Sequence, residues 1–142
     1  MLTLVQAQTI LSTALDHASS QGFKPLAIAI LDARGAQKAF AAQDGTSLKR
    51  AEIALGKAHG AVALGLGSRA LHKMAQERPY FIEAATHAVG GLLVPVPGGV
   101  LIRDSAGALL GAVGISGDTS DNDEAAALAG IAAAGLAADT GA

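Results

Sequence analysis

The chain has no cysteine and no tryptophan among its 142 residues. Without thiols there are no disulfides, thiolate metal sites, thiolate haem ligands or cysteine nucleophiles. Aromatic rings are nearly as scarce: Phe23, Phe40, Tyr80 and Phe81 are the whole set. So few rings argue against a module that stacks nucleic-acid bases, and they leave the core to Ala, Leu, Val and Ile. Positive charge is not in excess either. The formal net charge is -2 at pH 7, which gives no basic footprint for a phosphate backbone. Long apolar runs are also missing. Ala125 to Ala138 is a stretch of fourteen residues without a polar side chain, most of them Ala. It is too short and too weakly apolar to span a bilayer. The first residues lack a basic segment followed by an apolar block, the mark of an export signal. The expectation is a cytoplasmic protein with no nucleic-acid or membrane partner.

What is present suits a folded domain. Hydrophobic residues make up 51% and charged residues 15%, so disorder is excluded. The length matches one domain, residues 1–142. Charge is uneven: Arg34 to Arg78 holds eight basic and three acidic residues, and after Arg103 only six acids follow.

Periodicity and punctuation predict the elements. Thr3 with Gln6 fits a capping box, and Leu4, Ala7, Leu11, Ala14 and Ala18 keep helical spacing up to Gly22. Leu26–Leu31 and Gln37–Ala42 read as a hairpin around the turn Asp32–Gly35. Ser47 is the expected cap of a long helix, Leu48 to Leu66. Its glycines Gly56, Gly60 and Gly65 each cost about 1 kcal/mol relative to Ala, which points to close backbone packing there. Ser68–Gln76 reads as helix, and Tyr80–Ala88 as one or two helical turns. Leu92–Val96, Val100–Ile102 and Ala108–Ser116 read as strands. Ser120 is the expected cap of an Ala-rich last helix running to about Ala138. The order α-β-β-α-α-β-β-β-α predicts an α+β domain with a mainly antiparallel sheet of about five strands flanked by helices. A last helix apolar nearly all round predicts burial on more than one side, hence a homo-oligomer. The alternative is a helix lying on the sheet with small residues outward.

Several motifs are weak. Gly65–Ala70 matches G-x-G-x-x-[GA] but follows a helix, where a dinucleotide site needs a strand. Gly114–Asp118 approaches a nucleophile elbow but ends in Asp instead of Gly. The histidines His17, His59, His72 and His87 show no paired metal spacing, although one imidazole suffices for haem. His59 lies two residues after Lys57 on the apolar central helix. His87 lies before the Pro-Gly-Gly segment, where a pocket edge is plausible. Lys57, among small apolar residues, can act as base or anion clamp, snorkel to water or pair with a carboxylate. Asp123 and Glu124 favour a helix start or face a pocket. Pro97-Gly98-Gly99 offers backbone N–H groups to an anion, or makes a bulge.

Taken in order, Ile30–Gly35, Asp44-Gly45, Ala54 to Ala58, Pro97–Ile102, Gly111–Gly117 and Asp123-Glu124 resemble the GlcG/HbpS-like haem-binding family. The C-terminal domain of PduO-type corrinoid adenosyltransferases is a relative of that family. The resemblance implies a profilin- or PAS-like fold and homo-oligomers, from dimers up to octamers. It implies a small-molecule ligand, haem in some members, with roles in haem handling or redox sensing. It implies a pocket around Lys57, Ser116, Asp123 and Glu124, with Pro97–Gly99 at its rim. The haem ligand is not one universal family position, so none of the four histidines inherits it. At His59 the family pattern implies an aromatic, often followed by Thr, and here Gly60 follows. The alternative function is a small catabolic isomerase or lyase acting on a carboxylated metabolite. Lys57 would then hold the anion or act as base, and Asp123 or Glu124 would carry the proton.

Overall fold

The computed structural model describes residues 1–142. Helix α1 (Leu4–Gln21) starts on the expected capping box: the Thr3 hydroxyl accepts from Gln6 N at 3.1 Å, and the Gln6 side chain accepts from Thr3 N at 3.0 Å. Gly22 ends it at φ +70°, a conformation that glycine adopts at no steric cost. Strands β1 (Ala27–Asp32) and β2 (Gln37–Ala42) form the hairpin. Three helices follow: α2 (Arg50–Leu64), α3 (Ser68–Glu77) and α4 (Pro79–Ala88). Strands β3 (Gly99–Arg103) and β4 (Leu109–Ser116) lead to α5 (Ser120–Ala133) and a short β5 (Ala137–Asp139). The sheet order is β2-β1-β4-β3-β5, and every pairing is antiparallel. This is the expected α+β, profilin-like arrangement of a five-stranded sheet flanked by helices.

The sheet is covered on both faces. Because strand side chains alternate, Ile28, Ile30, Val100, Ile102, Val113 and Ile115 point to one face. They pack there with Ala7, Ile10 and Ala14 of α1 and Ala126, Ala127 and Ile131 of α5. Burying each such Ile or Val stabilises by about 1.5–3 kcal/mol. The opposite face carries α2: Ala27 and Ala29 meet Ala54, and Leu31, Leu101 and Ala112 meet Ala58 and Ala61. Here the helix backbone lies directly on the sheet. A Cβ added at Gly114 would fall 1.9 Å from Ala54 O, and one at Gly99 2.4 Å from Lys57 O.

Five local expectations are corrected. Leu92–Val96 is no strand. It crosses α2 as a loop with tight turns, Leu93 N donating to Gly91 O and Val96 N to Val94 O. Val94 lies over Gly56 and Leu93 over Gly60, and Val94 N donates to Gly56 O at 3.1 Å. Gly56 and Gly60 are the close-packing surface the sequence suggested; Gly65 is not part of it, for it ends α2 at φ +69° with nothing within 4 Å. The fifth strand is β5 instead. The last helix stops at Ala133 because the chain turns at Gly135 (φ +72°) and then pairs with β3. Ser47 does not cap α2, since Lys49 stands at the cap position with no side-chain bond. Thr119, one residue before Ser120, caps α5 by accepting from Asn122 N at 3.2 Å. Finally, α5 buries one side against α1 and the sheet and turns Leu128, Ala132 and Ala133 outward. That is the alternative of a helix lying on the sheet, so α5 carries no argument for an oligomer. No helix is long and apolar enough to cross a membrane.

Candidate functional site

At one end of the sheet, where β4 stops and β3 begins, the expected site residues converge. Lys57 leaves the middle of α2 and passes Gly98, where a Cβ would sit 2.9 Å from its Nζ. It donates to Ile115 O at 2.8 Å and to Asp123 Oδ2, on α5, at 3.1 Å. The pair joins the helices on the two faces of the sheet, and its side chains are 2% and 1% exposed. Burial pushes the Lys57 ammonium below the ordinary lysine range and Asp123 above the ordinary carboxyl range, and each partner pulls the other back. The second Asp123 oxygen accepts from Asp118 N at 3.0 Å.

The neighbours are equally occupied. Buried Ser116 accepts from Arg50 Nη1 at 3.0 Å. Glu124 takes Arg69 in a two-point contact at 3.0 and 3.2 Å, and Asp121 takes the same guanidinium at 2.6 Å. These bonds, first from Glu124 and then from Asp121, raise the Arg69 pKa further. Pro97, Gly98 and Gly99 are buried, and Gly99 N donates to the buried Ser68 Oγ at 2.7 Å. No buried side-chain nitrogen or oxygen lacks a partner. None of the three cavities is lined by Lys57, Ser116, Asp123, Glu124 or Pro97–Gly99. In the single chain this cluster is a closed polar lock.

The histidines sit elsewhere. His59 Nδ1 lies 2.8 Å from Leu92 O, and His72 Nδ1 lies 3.2 Å from Pro95 O. A carbonyl only accepts, so Nδ1 carries the hydrogen in each ring. In the neutral imidazole Nε2 then keeps its lone pair, the arrangement that orients a metal-ligating histidine. His59 is half-buried and stands one helical turn beyond Leu55. Leu55 lines a groove of about 250 Å³ between β2 and α2, with Gln37, Phe40, Ala51 and Glu52. Exposed Leu92 and Phe40 flank this region, 38% and 39% accessible. His87 is exposed in the last turn of α4, and His17 packs edge-on against Phe23. Sequence reasoning singled out His59 and His87. It missed His72, Arg50 and Arg69, whose partners lie 23, 66 and 55 residues away.

Comparison with known proteins now adds the family. Residues 2–132 match the family described as "Haem degrading protein HbpS-like". No curated protein sequence matches the chain. Among solved structures, a PduOC:heme complex is similar with TM-score 0.85 and 25% identity, covering 96% of each chain. HbpS is similar with TM-score 0.79 and 26% identity, covering 92% of this chain and 88% of that one. Klebsiella pneumoniae protein ORFY, at TM-score 0.82 and 21% identity over 94% of this chain and 90% of that one, shows the same fold. The chain belongs to the HbpS-like family.

Proposed function

From that membership as premise, we propose that this protein binds haem, with His59 as the axial ligand. The observation that carries the reading is the His59 ring: Nδ1 bonded to Leu92 O and Nε2 left free on a half-buried face. The printed descriptions of the family and of the PduOC relative, both naming haem, support it. The donor chemistry fits: haem iron takes one neutral imidazole, and its porphyrin needs apolar walls. Phe40, Leu55 and Leu92 supply part of such walls. The groove is smaller than a porphyrin, so we place the site between copies of the chain, in a cytoplasmic homo-oligomer whose second copy covers these residues. Bound haem would supply redox-active iron. The protein would hold it, orient it and exclude water. In this reading Lys57, Ser116, Asp123, Glu124 and Pro97–Gly99 hold the helices in place, and His87 has no part in the site.

The test is a hemin titration followed in the Soret region, beside His17→Ala, His59→Ala, His72→Ala and His87→Ala. His59→Ala should weaken binding by more than about tenfold, and the other three should not. Binding insensitive to all four would sink the haem reading. Loss confined to His72→Ala would move the ligand to the other carbonyl-oriented ring. Light scattering must also give more than one 14.0 kDa chain.

A further inference from the structure

The opposite end of the sheet is built differently. There both hairpins carry a β-bulge. In the β1–β2 ladder Ile30 faces Ala39 and Leu31 faces Gln37, which leaves Lys38 as the extra residue. In the β3–β4 ladder Ile102 faces Gly111 and Arg103 faces Leu109, which leaves Leu110 extra. A bulge redirects one side chain and loosens the ladder locally. Here both redirected side chains, Lys38 and Leu110, line the same cavity. It holds about 470 Å³, within the ordinary size of small-ligand pockets. Leu2, Leu109 and Leu110 give it apolar walls, and Asp32, Arg34 and Lys38 line it with charge.

The charges are not balanced. The Asp32 carboxylate is consumed by its own turn: Oδ1 accepts from Arg34 N at 2.9 Å and Ala36 N at 3.0 Å, and Oδ2 from Arg34 Nη2 at 3.0 Å. Burial raises the Asp32 pKa, but these bonds outweigh it and hold the carboxyl below its ordinary value. It stays ionised and tied to Arg34. Lys38 is half-buried and is in none of the ion pairs. Lys38 lines the cavity, and a lysine there can lay its stem on an apolar wall while its ammonium reaches water. An apolar cavity edged by an unpaired cation is complementary to an amphipathic anion.

We propose that this bulge-lined cavity is a second binding site, for a small carboxylate with an apolar body. The hydrocarbon part lies on Leu2, Leu109 and Leu110, and the carboxylate meets Lys38. No histidine lines this cavity, so the site is independent of the haem reading, and either can fail alone.

The probe is octanoate, compared with 1-octanol and octylammonium, each kept monomeric. The readout is the leucine methyl NMR spectrum of the full chain. Octanoate should shift the Leu2, Leu109 and Leu110 methyls saturably. Octanol should bind about fivefold more weakly, the worth of one partly exposed charge contact, and octylammonium more weakly still. Lys38→Met should remove the preference for octanoate over octanol, and Lys38→Arg should keep it. Octanoate shifts that are absent or scattered over other leucines overturn the proposal. So do equal binding of octylammonium and a preference that survives Lys38→Met. Leucine shifts that follow dilution instead of octanoate would put a second copy in the cavity, which also overturns it.

Discussion

Lys57→Met separates a structural lock from a binding group. Met keeps most of the lysine stem and removes the charge. Asp123, 1% exposed, then loses the ammonium 3.1 Å away and keeps one donor, Asp118 N. Ile115 O loses the donor that Lys57 supplies. Leaving a buried charge uncompensated costs about 3–5 kcal/mol. For a chain of this size that is a fall in Tm of about 10–15 °C. Removing the second charge as well should recover stability, because a buried pair offsets little more than its own desolvation. The double variant Lys57→Met/Asp123→Asn should therefore be more stable than Lys57→Met alone. The assay is urea unfolding by far-UV circular dichroism at fixed protein concentration. A loss below about 1 kcal/mol in Lys57→Met, or a double variant no better than the single one, would refute the lock. Hemin affinity per folded molecule should not change. If that affinity collapses while stability holds, Lys57 faces the ligand after all.

Two further predictions follow from packing and from charge. Gly114→Ala should prevent α2 from seating, since its Cβ would fall 1.9 Å from Ala54 O; Gly107→Ala, strained at φ +84° but with nothing within 4 Å, should cost only about 1 kcal/mol. Urea midpoints compare the two directly. Asp118 is held below its ordinary carboxyl range by Lys24 N, Thr119 N and Asn122 Nδ2. Its folded pKa thus lies under the unfolded value of about 4, and the unfolded chain binds the proton first as pH falls. The stability it contributes is complete above about pH 4 and is lost as pH drops through the folded value. Asp118→Asn should flatten that acid limb in pH-dependent unfolding, and an unchanged limb would contradict the assignment.

What was legible in the sequence follows the range of the interactions. The Thr3–Gln6 box and the Asp32–Gly35 turn are local chemistry, and they form where expected. Leu92–Val96 has the apolar composition of a buried strand, but a short apolar run carries no sign of a pairing partner. Its true support, Gly56 and Gly60, lies more than thirty residues away in the chain. Strand β5 is three residues of Ala, Ala and Asp, with no β-branched side chain to announce it. Gly135 was the available signal that the Ala-rich run breaks. Lys57 and Asp123 were both noticed, but each left several roles open. Their meeting depends on a sheet order that brings β4 beside both β1 and β3, and no local pattern carries that order.

That order also separates the two ends of the sheet in what they can do. At one end Lys57, Asp123, Arg50, Ser116, Arg69 and Glu124 satisfy one another. A network of this kind, with no buried side-chain nitrogen or oxygen left without a partner, specifies packing. At the other end two bulges leave Lys38 unpaired over an apolar cavity. A six-residue strand such as β1 spans about 20 Å, beyond the range over which substitutions usually couple. Lys57→Met should therefore lower stability without changing the preference for octanoate over octanol. Lys38→Met should do the reverse, and their effects on unfolding free energy should add within about 0.5 kcal/mol. A larger coupling would show that the bulged end is held in shape by the locked one, and the division of labour between the two ends would be wrong.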